Sequence, residues 1–297
     1  MKIIRSPNAM AAWRERLIYE GAKIGLVPTM GALHEGHRAL IQAARLRCDA
    51  LVVSIFVNPI QFGPQEDLAK YPRPISQDRT LCRKDGVDIC FEPTVEAMYP
   101  AGFQTMVTLP ALACRWEGEV RPHHFSGVAT VVTKLFGIIR PRIAIFGQKD
   151  FQQSVLVQQL VKDLDLGVEI AVHPTVREAD GLAKSSRNIY LSPDDRIRAA
   201  TLHKSLQAGA DAIRTGITNG KTIRSAMVRV IKNEPAMTID YLTVCDPRTL
   251  EPLSYVNSRA VLLGAVRLGP VRLIDNLLVA SSQRSSSRIE VFSREKL

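Results

Sequence analysis

Strand-like and helix-like patterns alternate through the first 180 residues, and this alternation restricts the fold more than any other feature. The apolar run 24–27 leads through a glycine-containing loop into apolar residues at helical spacing, namely Ala39, Leu40, Ala43 and Ala44. Further strands are predicted over 51–57, 87–91, 143–146 and 168–172, and further helices over 76–84, 127–139 and 150–164. Such alternation predicts an α/β fold in which helices cover a parallel sheet.

Ligands of such sheets bind beyond the carboxyl ends of the strands. The loops that should meet there follow Val27, Val57, Phe146 and Val172. Within the pattern, Ser76 is a candidate N-cap and Gly86 a stop signal for the helix over 76–84.

The loop PTMGALHEGH at residues 28–37 places His34 and His37 three residues apart at the start of a predicted helix. Residues at this spacing share a helix face, and a helix N-terminus offers N–H donors and partial positive charge. The arrangement therefore suits a nucleotide phosphate. It also fits an ordinary surface helix whose histidines already have hydrogen-bond partners, or a two-histidine metal site, although HEGH lacks the HExxH spacing of zinc peptidases. The loop alone leaves these alternatives open.

The pattern changes after Asp180. Helices are predicted over 193–215 and 221–233, and strands over 239–244, 260–267 and 271–278, which indicates a small α+β domain. We therefore expect domains at 1–180 and 181–280, followed by a polar, mobile Ser/Arg-rich tail at 281–297. The segment GITNGKT at 216–222 is one residue short of phosphate-loop spacing and follows a helix, so we interpret it as a turn.

A chain of 297 residues is at the size where single cores stop growing, which favours two domains. Its hydrophobic fraction of 46% is typical of a soluble globular protein. No apolar run approaches about 18 residues and charge appears early in the N-terminal segment, so we predict a cytoplasmic protein without a membrane span. The cysteines show no paired spacing and are interpreted as reduced; they are Cys48, Cys82, Cys90, Cys114 and Cys245.

The formal net charge of +10 lies mainly in residues 181–297, which hold 18 of the 39 Lys and Arg residues but 10 of the 29 Asp and Glu residues. An acidic ligand or a nucleic acid would suit this charge. Nucleic acid is the weaker alternative, because the basic residues form no stripe with interleaved aromatic residues and no signature of a common nucleic-acid module is present. We therefore expect no nucleic-acid partner.

Several long segments carry the chemically interesting residues. They are VPTMGALHEGH at 27–37, SIFVNPIQFGPQEDLAKYPR at 54–73, HFSGVATVVTKLF at 124–136, FGQKDFQQ at 146–153, DGLAKSSRNIYLS at 180–192 and RLIDN at 272–276. In this order they resemble the motifs of the pantothenate synthetase family, almost as far as the Ser/Arg-rich tail. Several long motifs in the correct order are far more specific than one short motif.

The resemblance implies an ATP-dependent ligase that joins pantoate to β-alanine and releases AMP and pyrophosphate through an enzyme-bound pantoyl adenylate. It also implies a Rossmann-like parallel-sheet nucleotide-binding domain, a smaller α+β lid domain, a homodimer, and Mg²⁺ bound with ATP. The family is similar to class I aminoacyl-tRNA synthetases and nucleotidylyltransferases. A nucleotidylyltransferase acting on another small acid or phosphate is therefore the alternative, and a nucleic-acid-binding protein is the least supported.

The resemblance also assigns roles to single residues. His37, His34, Lys149 and Arg187 would be catalytic. Gln61 and Gln153 would hold pantoate, and Gln61 would also contact β-alanine. The implied ATP site comprises Met30, Gly31, Ala32, Leu33, His34, Glu35, Gly36, His37, Gly147, Gln148, Lys149, Asp150, Val176, Lys184, Ser185, Ser186 and Arg187. Ser185, Ser186 and Arg187 resemble a mobile phosphate clamp from the second domain.

Three places depart from the family's usual pattern. Lys184 stands where an apolar residue is usual, His123 replaces a glycine, and residues 76–78 carry less acid than is usual. We expect His123 to alter the local turn if that glycine has a positive φ. No protein ligand for Mg²⁺ is assigned, since Mg²⁺ binds ATP mainly through phosphates and water.

Overall fold

The computed structural model describes residues 1–64 and 66–281. The chain divides into two compact units, Met1–Ile197 and Arg198–Leu297. The sequence predicted this boundary after Asp180. In the structure the first unit extends to Ile197 and therefore includes the KSSRN segment at 184–188. The predicted tail at 281–297 lies outside the described residues except for Ser281.

In its described part, the first unit contains a six-stranded parallel sheet in the order β1-β4-β3-β2-β5-β6. The strands are β1 (Lys2–Ile4), β2 (Ile24–Thr29), β3 (Ala50–Ile55), β4 (Ile89–Phe91), β5 (Ile143–Gly147) and β6 (Glu169–His173). This sheet confirms the predicted Rossmann-like α/β fold. The chain passes from β2 to β3 on one side, while β5 pairs with β2 on the other, so the strand order reverses at β2. Such a switch point is where α/β sheets bind ligands.

Helices cover both faces of the sheet. The helices of the first unit are α1 (Pro7–Tyr19), α2 (Glu35–Arg45), α3 (Ile75–Lys84), α4 (Val95–Met98), α5 (Pro110–Ala113), α6 (Glu117–Val120), α7 (His124–Ile139), α8 (Phe151–Asp163) and α9 (Pro193–Arg198), the last of which has no buried residue. Successive residues of a strand face opposite sides, so Leu26 packs in the core on one face of the sheet and Val27 in the core on the other.

The sequence analysis predicted neither β1 and α1 nor the short helices α4, α5 and α6, and it misplaced one cap. Ser76 was the expected N-cap of α3, but the helix begins at Ile75 and Pro74 occupies the N-cap position. The fixed φ of proline suits a helix start, so Ser76 falls inside the first turn. The helix does end just before Gly86, whose φ is +75°.

The second unit contains helices α10 (Thr201–Arg214) and α11 (Gly220–Lys232) and an antiparallel sheet of β7 (Met237–Cys245), β8 (Arg259–Leu268) and β9 (Val271–Ala280). This confirms the predicted α+β character. The single helix predicted over 193–215 is wrong, because α9 and α10 are separated at Ala199 and Ala200. Residues 216–219 form the predicted turn between α10 and α11, Asn219 caps α11, and residues 220–222 begin that helix.

No helix in residues 1–64 and 66–281 combines the length and the apolar character that a membrane crossing needs. The five cysteines, all within this part of the chain, form no disulfide, as the sequence predicted.

Candidate functional site

The loop between β2 and α2 is shaped by a carboxylate that the sequence reading did not assign to the site. Asp78, 1% exposed on α3, accepts hydrogen bonds from the backbone N–H groups of Ala32 at 2.9 Å and Leu33 at 2.8 Å. Gly31 and Ala32 have φ values of +83° and +51°. A Cβ on Gly31 would lie 2.9 Å from Asp78 Oδ2, so this tight turn requires glycine.

His34 and His37 cap the helix that follows this turn. His34 is the N-cap of α2, and its Nδ1 accepts a hydrogen bond from the backbone N–H of Gly36 at 3.1 Å. His37 Nδ1 accepts one from the backbone N–H of His34 at 3.3 Å. A neutral imidazole that accepts at Nδ1 carries its proton at Nε2. Both rings, with centroids 4.1 Å apart, therefore keep an Nε2–H donor for a ligand.

The surroundings keep both imidazoles neutral at physiological pH. Burial, followed by the charge of Lys149, lowers the pKa of His34 to about 4. Burial and then the neighbouring His34 lower the pKa of His37 to about 3. The two side chains are thus hydrogen-bond donors of fixed direction rather than proton carriers near neutrality.

The loop after β5 brings opposite charges to the same end of the sheet. Lys149 and Asp150 lie on the short helix Gln148–Asp150, directly after Gly147, and the Lys149 Nζ is 3.5 Å from Asp150 Oδ1. Burial alone would raise the pKa of Asp150, but Lys149, His124 and Arg187 outweigh it and hold that pKa below its usual range. The carboxylate therefore stays ionised beside the lysine.

The KSSRN segment faces the helix start that carries the histidines. Lys184 Nζ lies 3.0 Å from a Glu178 carboxylate oxygen and 3.4 Å from one of Glu35, and its backbone N–H donates to Val176 O at 3.0 Å. An open cavity of about 250 Å³ separates the two segments and is lined by His34, Glu35, Glu178, Lys184, Ser185, Asn188, Ile189 and Arg196. Four residues predicted for the ATP site, His34, Glu35, Lys184 and Ser185, thus line one cavity.

Arg187 is held by residues that the sequence analysis left unassigned. Its guanidinium donates to both carboxylate oxygens of Asp67, at 2.9 and 3.0 Å, and stands 5.7 Å from the centroid of the Tyr71 ring. Tyr71 OH lies 3.4 Å from Ser186 Oγ. Asp67 and Tyr71 belong to the motif at 54–73, but only the fold reveals that this motif meets KSSRN.

Gln61 lies on the short helix Pro59–Gln61 after β3 and is 7% exposed. Its amide contacts Met30, with Nε2 3.2 Å from Sδ, which joins this loop to the turn after β2. A Cβ on Gly127 would lie 2.5 Å from Gln61 Cα, so α7 approaches the loop as closely as glycine permits. Gln153 is half-buried on α8, and no hydrogen bond joins the two amides in the part of the chain that the structure describes.

The departures at His123 and at residues 76–78 have simple structural outcomes. His123 has a φ of −98°, so the turn before α7 needs no left-handed residue. Asp78 uses both of its oxygens to accept backbone N–H groups. Among residues 1–64 and 66–281, no group of three or more His, Cys, Asp or Glu side chains could hold a metal ion. The His, Cys, Asp and Glu side chains of these residues therefore form no dedicated magnesium site.

The chain matches the model of the pantoate-beta-alanine ligase family over residues 2–278. It is 52% identical to a pantothenate synthetase of Chloroflexus aggregans over 258 residues, which cover 86% of this chain and 93% of that relative. It is 50% identical to a pantothenate synthetase of Moorella thermoacetica over 272 residues, covering 92% and 95% respectively.

Solved structures agree. The crystal structure of a pantothenate synthetase of Thermus thermophilus matches with a TM-score of 0.89 and 44% identity, over 93% of this chain and 99% of that one. A pantoate-beta-alanine ligase of Francisella tularensis, complexed with Beta-gamma ATP and beta-alanine, matches with a TM-score of 0.77 and 36% identity, over 94% and 97%. Since the likeness in sequence and in fold extends over nearly the whole chain, the protein belongs to the pantoate–β-alanine ligase family.

Proposed function

We propose that this protein joins pantoate to β-alanine while ATP is converted to AMP and pyrophosphate, through a pantoyl adenylate. The observation that carries the proposal is the pair of Nε2–H donors of His34 and His37 at the N-terminus of α2, beside the switch point of a Rossmann-like sheet. Membership of the ligase family identifies the two acids as pantoate and β-alanine. The N-terminal N–H groups and the two imidazoles together suit a polyphosphate.

The chemistry asks for positioning and positive charge rather than for a base. The carboxylate of pantoate is already ionised at neutral pH, so it can attack the α-phosphorus directly. Negative charge then accumulates on the phosphorus oxygens and on the departing pyrophosphate. Preorganised donors that meet this charge lower the barrier. His34 and His37, kept neutral by burial, accept backbone N–H groups at Nδ1 and still present an Nε2–H donor.

Lys149 and Arg187 supply the positive charge. Lys149 follows β5 at the switch point, and its charge lowers the pKa of both imidazoles, which places it within electrostatic reach of them. Arg187 is paired with Asp67, so binding of a phosphate requires its guanidinium to share or leave that carboxylate. Met30, Gly147, Asp150 and Val176 border the adenosine in this proposal, and Ser185 and Ser186 contact the phosphates.

The acids bind beside the nucleotide. Gln61 and Gln153 hold the hydroxyl and carboxylate oxygens of pantoate, and Gln61 also contacts β-alanine. The contact between Gln61 and Met30 supports this neighbourhood, because Met30 begins the turn that leads to His34.

Mg²⁺ enters as part of the nucleotide substrate. The lack of a carboxylate cage among the described residues suits an ion carried by phosphates and water, with the Asp150 carboxylate close by at Lys149. When bound, the ion neutralises part of the triphosphate charge. A homodimer in the cytoplasm is the remaining part of the proposal and rests on the family.

The test is the product mixture. Purified protein given ATP, Mg²⁺, pantoate and β-alanine should form pantothenate and AMP in equal amounts, and omission of either acid should prevent pantothenate formation. A nucleotidylyltransferase of the same fold would instead transfer AMP to a phosphorylated acceptor and leave pantoate and β-alanine unjoined. That result from folded protein would overturn the proposal.

A further inference from the structure

A buried chain of hydrogen bonds fixes which end of the Gln61 amide is available to a ligand. Asn58, 1% exposed, donates from Nδ2 to the backbone carbonyl of Gly127 and to Gln61 Oε1, both at 3.0 Å. The hydroxyl of Tyr99 donates to Asn58 Oδ1 at 2.7 Å. The three contacts join Asn58 to residues up to 69 positions away in the sequence.

One backbone group determines which atoms donate and which accept in this series of hydrogen bonds. A carbonyl oxygen can only accept, so the atom of Asn58 that faces Gly127 must be the NH₂ group. Its Oδ1 therefore faces Tyr99, and its second N–H faces Gln61 Oε1. The Gln61 amide must then present its NH₂ group on the other side, away from Asn58.

The free end of Gln61 is thus a donor. One N–H lies toward Met30 Sδ, which is a weak acceptor, at 3.2 Å. The second N–H has no partner among residues 1–64 and 66–281. A buried donor normally has an acceptor, so this N–H marks a place for an oxygen of the substrate. The backbone carbonyl of Gln61 is also fixed, because His124 Nδ1 donates to it at 3.1 Å.

Tyr99 is suited to hold this orientation. Burial raises the pKa of its hydroxyl, so the group stays protonated and remains a donor. Its ring packs against Phe103 and Phe56, with centroid distances of 5.0 and 6.1 Å. The Lys134 ammonium stands 5.9 Å from the ring centroid. These contacts limit the positions that the hydroxyl can take.

We propose that Tyr99 is a positioning residue for the acid substrate: through Asn58 it keeps the second N–H of Gln61 directed at an acceptor oxygen of pantoate. The inference rests on the proposed function, since it takes Gln61 as a pantoate contact. It adds that the recognised group is a carboxylate or hydroxyl oxygen that accepts, and that a residue outside the contact controls this preference.

The first experiment compares Tyr99→Phe with the parent enzyme. Without the hydroxyl, Asn58 Oδ1 loses its hydrogen-bond donor and the Gln61 amide is no longer held in one orientation. KM for pantoate should therefore rise about 5- to 30-fold, while KM for ATP stays within about twofold. Phe103→Leu is the matched control, because it removes a ring packed on Tyr99 but keeps the hydroxyl, and its KM for pantoate should stay near that of the parent. An unchanged KM for pantoate in folded Tyr99→Phe would overturn the inference, whereas a parent enzyme that ignores pantoate would overturn the proposed function itself.

A second pair of variants tests the direction of the amide without removing Tyr99. Gln61→Ala deletes the donor, and Gln61→Glu replaces it with an acceptor that also repels the pantoate carboxylate. Gln61→Glu should therefore lower kcat/KM for pantoate more than Gln61→Ala does, by a further tenfold or so. If Gln61→Glu were instead the more active of the two, Oε1 would be the end that meets the substrate and the inference would be wrong.

Discussion

The backbone N–H of Leu33 donates to Oδ1 of Asp78 at 2.8 Å across 45 positions of sequence. Through this bond and its companion at Ala32, helix α3 holds the turn that delivers His34 and His37 to the N-terminus of α2. The histidines are thus positioned by a buried carboxylate that contributes no donor of its own.

Asp78→Asn should damage this turn while keeping the size of the side chain. An asparagine has only one acceptor oxygen, so one of the two backbone N–H groups would lose its partner. We expect the free energy of unfolding to fall by about 1–3 kcal/mol and the rate of pyrophosphate exchange to fall about 10- to 100-fold, because the donors are misplaced. Urea unfolding and exchange kinetics measure the two effects.

Asp85→Asn at the end of the same helix is the control. This substitution removes a carboxylate whose two oxygens accept hydrogen bonds from the Arg38 guanidinium, at 2.7 and 2.8 Å. Neither oxygen contacts the turn between β2 and α2. Asp85→Asn should lower stability and leave exchange within about twofold of the parent. Full exchange activity in folded Asp78→Asn would show that Asp78 does not position the histidines.

His34→Asn separates capping from phosphate binding. Asparagine is a favourable N-cap, so the free energy of unfolding should change by no more than about 0.5 kcal/mol. The side chain ends near the position of Nδ1, so the Nε2–H donor is lost and the exchange rate should fall about 100-fold. His34→Ala, which loses both functions, should match that fall and also lose about 1 kcal/mol of stability. An exchange rate in His34→Asn equal to that of the parent would leave His34 as a cap only.

Stability should depend on pH through the same histidines. Their folded pKa values, about 4 for His34 and about 3 for His37, lie below the ordinary value of 6.5. Between these values the unfolded chain binds more protons than the folded one, so stability falls as pH decreases from about 6.5 toward about 4. Urea unfolding near pH 7 and near pH 5 should show the fall, and it should be smaller in His34→Asn. A variant with the parent's full pH dependence would place the titrating groups elsewhere.

Much of this architecture could be predicted from sequence because strand runs, helical spacing and strand-end loops are local patterns. The parallel sheet, the turn between α10 and α11 and the position of HEGH after β2 are confirmed in this way. β1 is only three residues long, Lys2–Ile4, and such a short strand has too few residues to show a period.

The supports of the site could not be predicted, since they join distant parts of the chain. Asp78 reaches Leu33, Asp67 reaches Arg187, and Tyr99 reaches Asn58 only after the sheet has formed. In sequence each of these residues looks like an ordinary polar side chain in a helix or loop. The family resemblance names residues that touch substrates, and it says nothing about those that hold them.

Lys184→Met tests the unusual lysine of the KSSRN segment. Its side chain is 23% exposed and its ammonium already lies between Glu178 and Glu35, yet it lines the cavity next to His34. We expect the variant to remain active with KM for ATP raised about three- to tenfold, since a nearby charge pair at partial burial is worth a few kcal/mol at most. The penalty should shrink at high salt, where exposed charges are screened.

Glu178→Gln provides the comparison. It removes the nearer carboxylate, at 3.0 Å, and leaves the ammonium in place, so ATP binding should be unchanged or tighter. If Lys184→Met and the parent had identical ATP dependence at low and high salt, Lys184 would have no role at the phosphates.

The central claim is that pantoate alone, without β-alanine, is activated on ATP at the histidine-capped end of α2. Exchange of labelled pyrophosphate into ATP measures this step directly. With Mg²⁺ and pantoate present, the label should enter ATP, and addition of β-alanine should release AMP. Exchange that proceeds equally without pantoate, or no exchange at all from folded protein, would contradict the account.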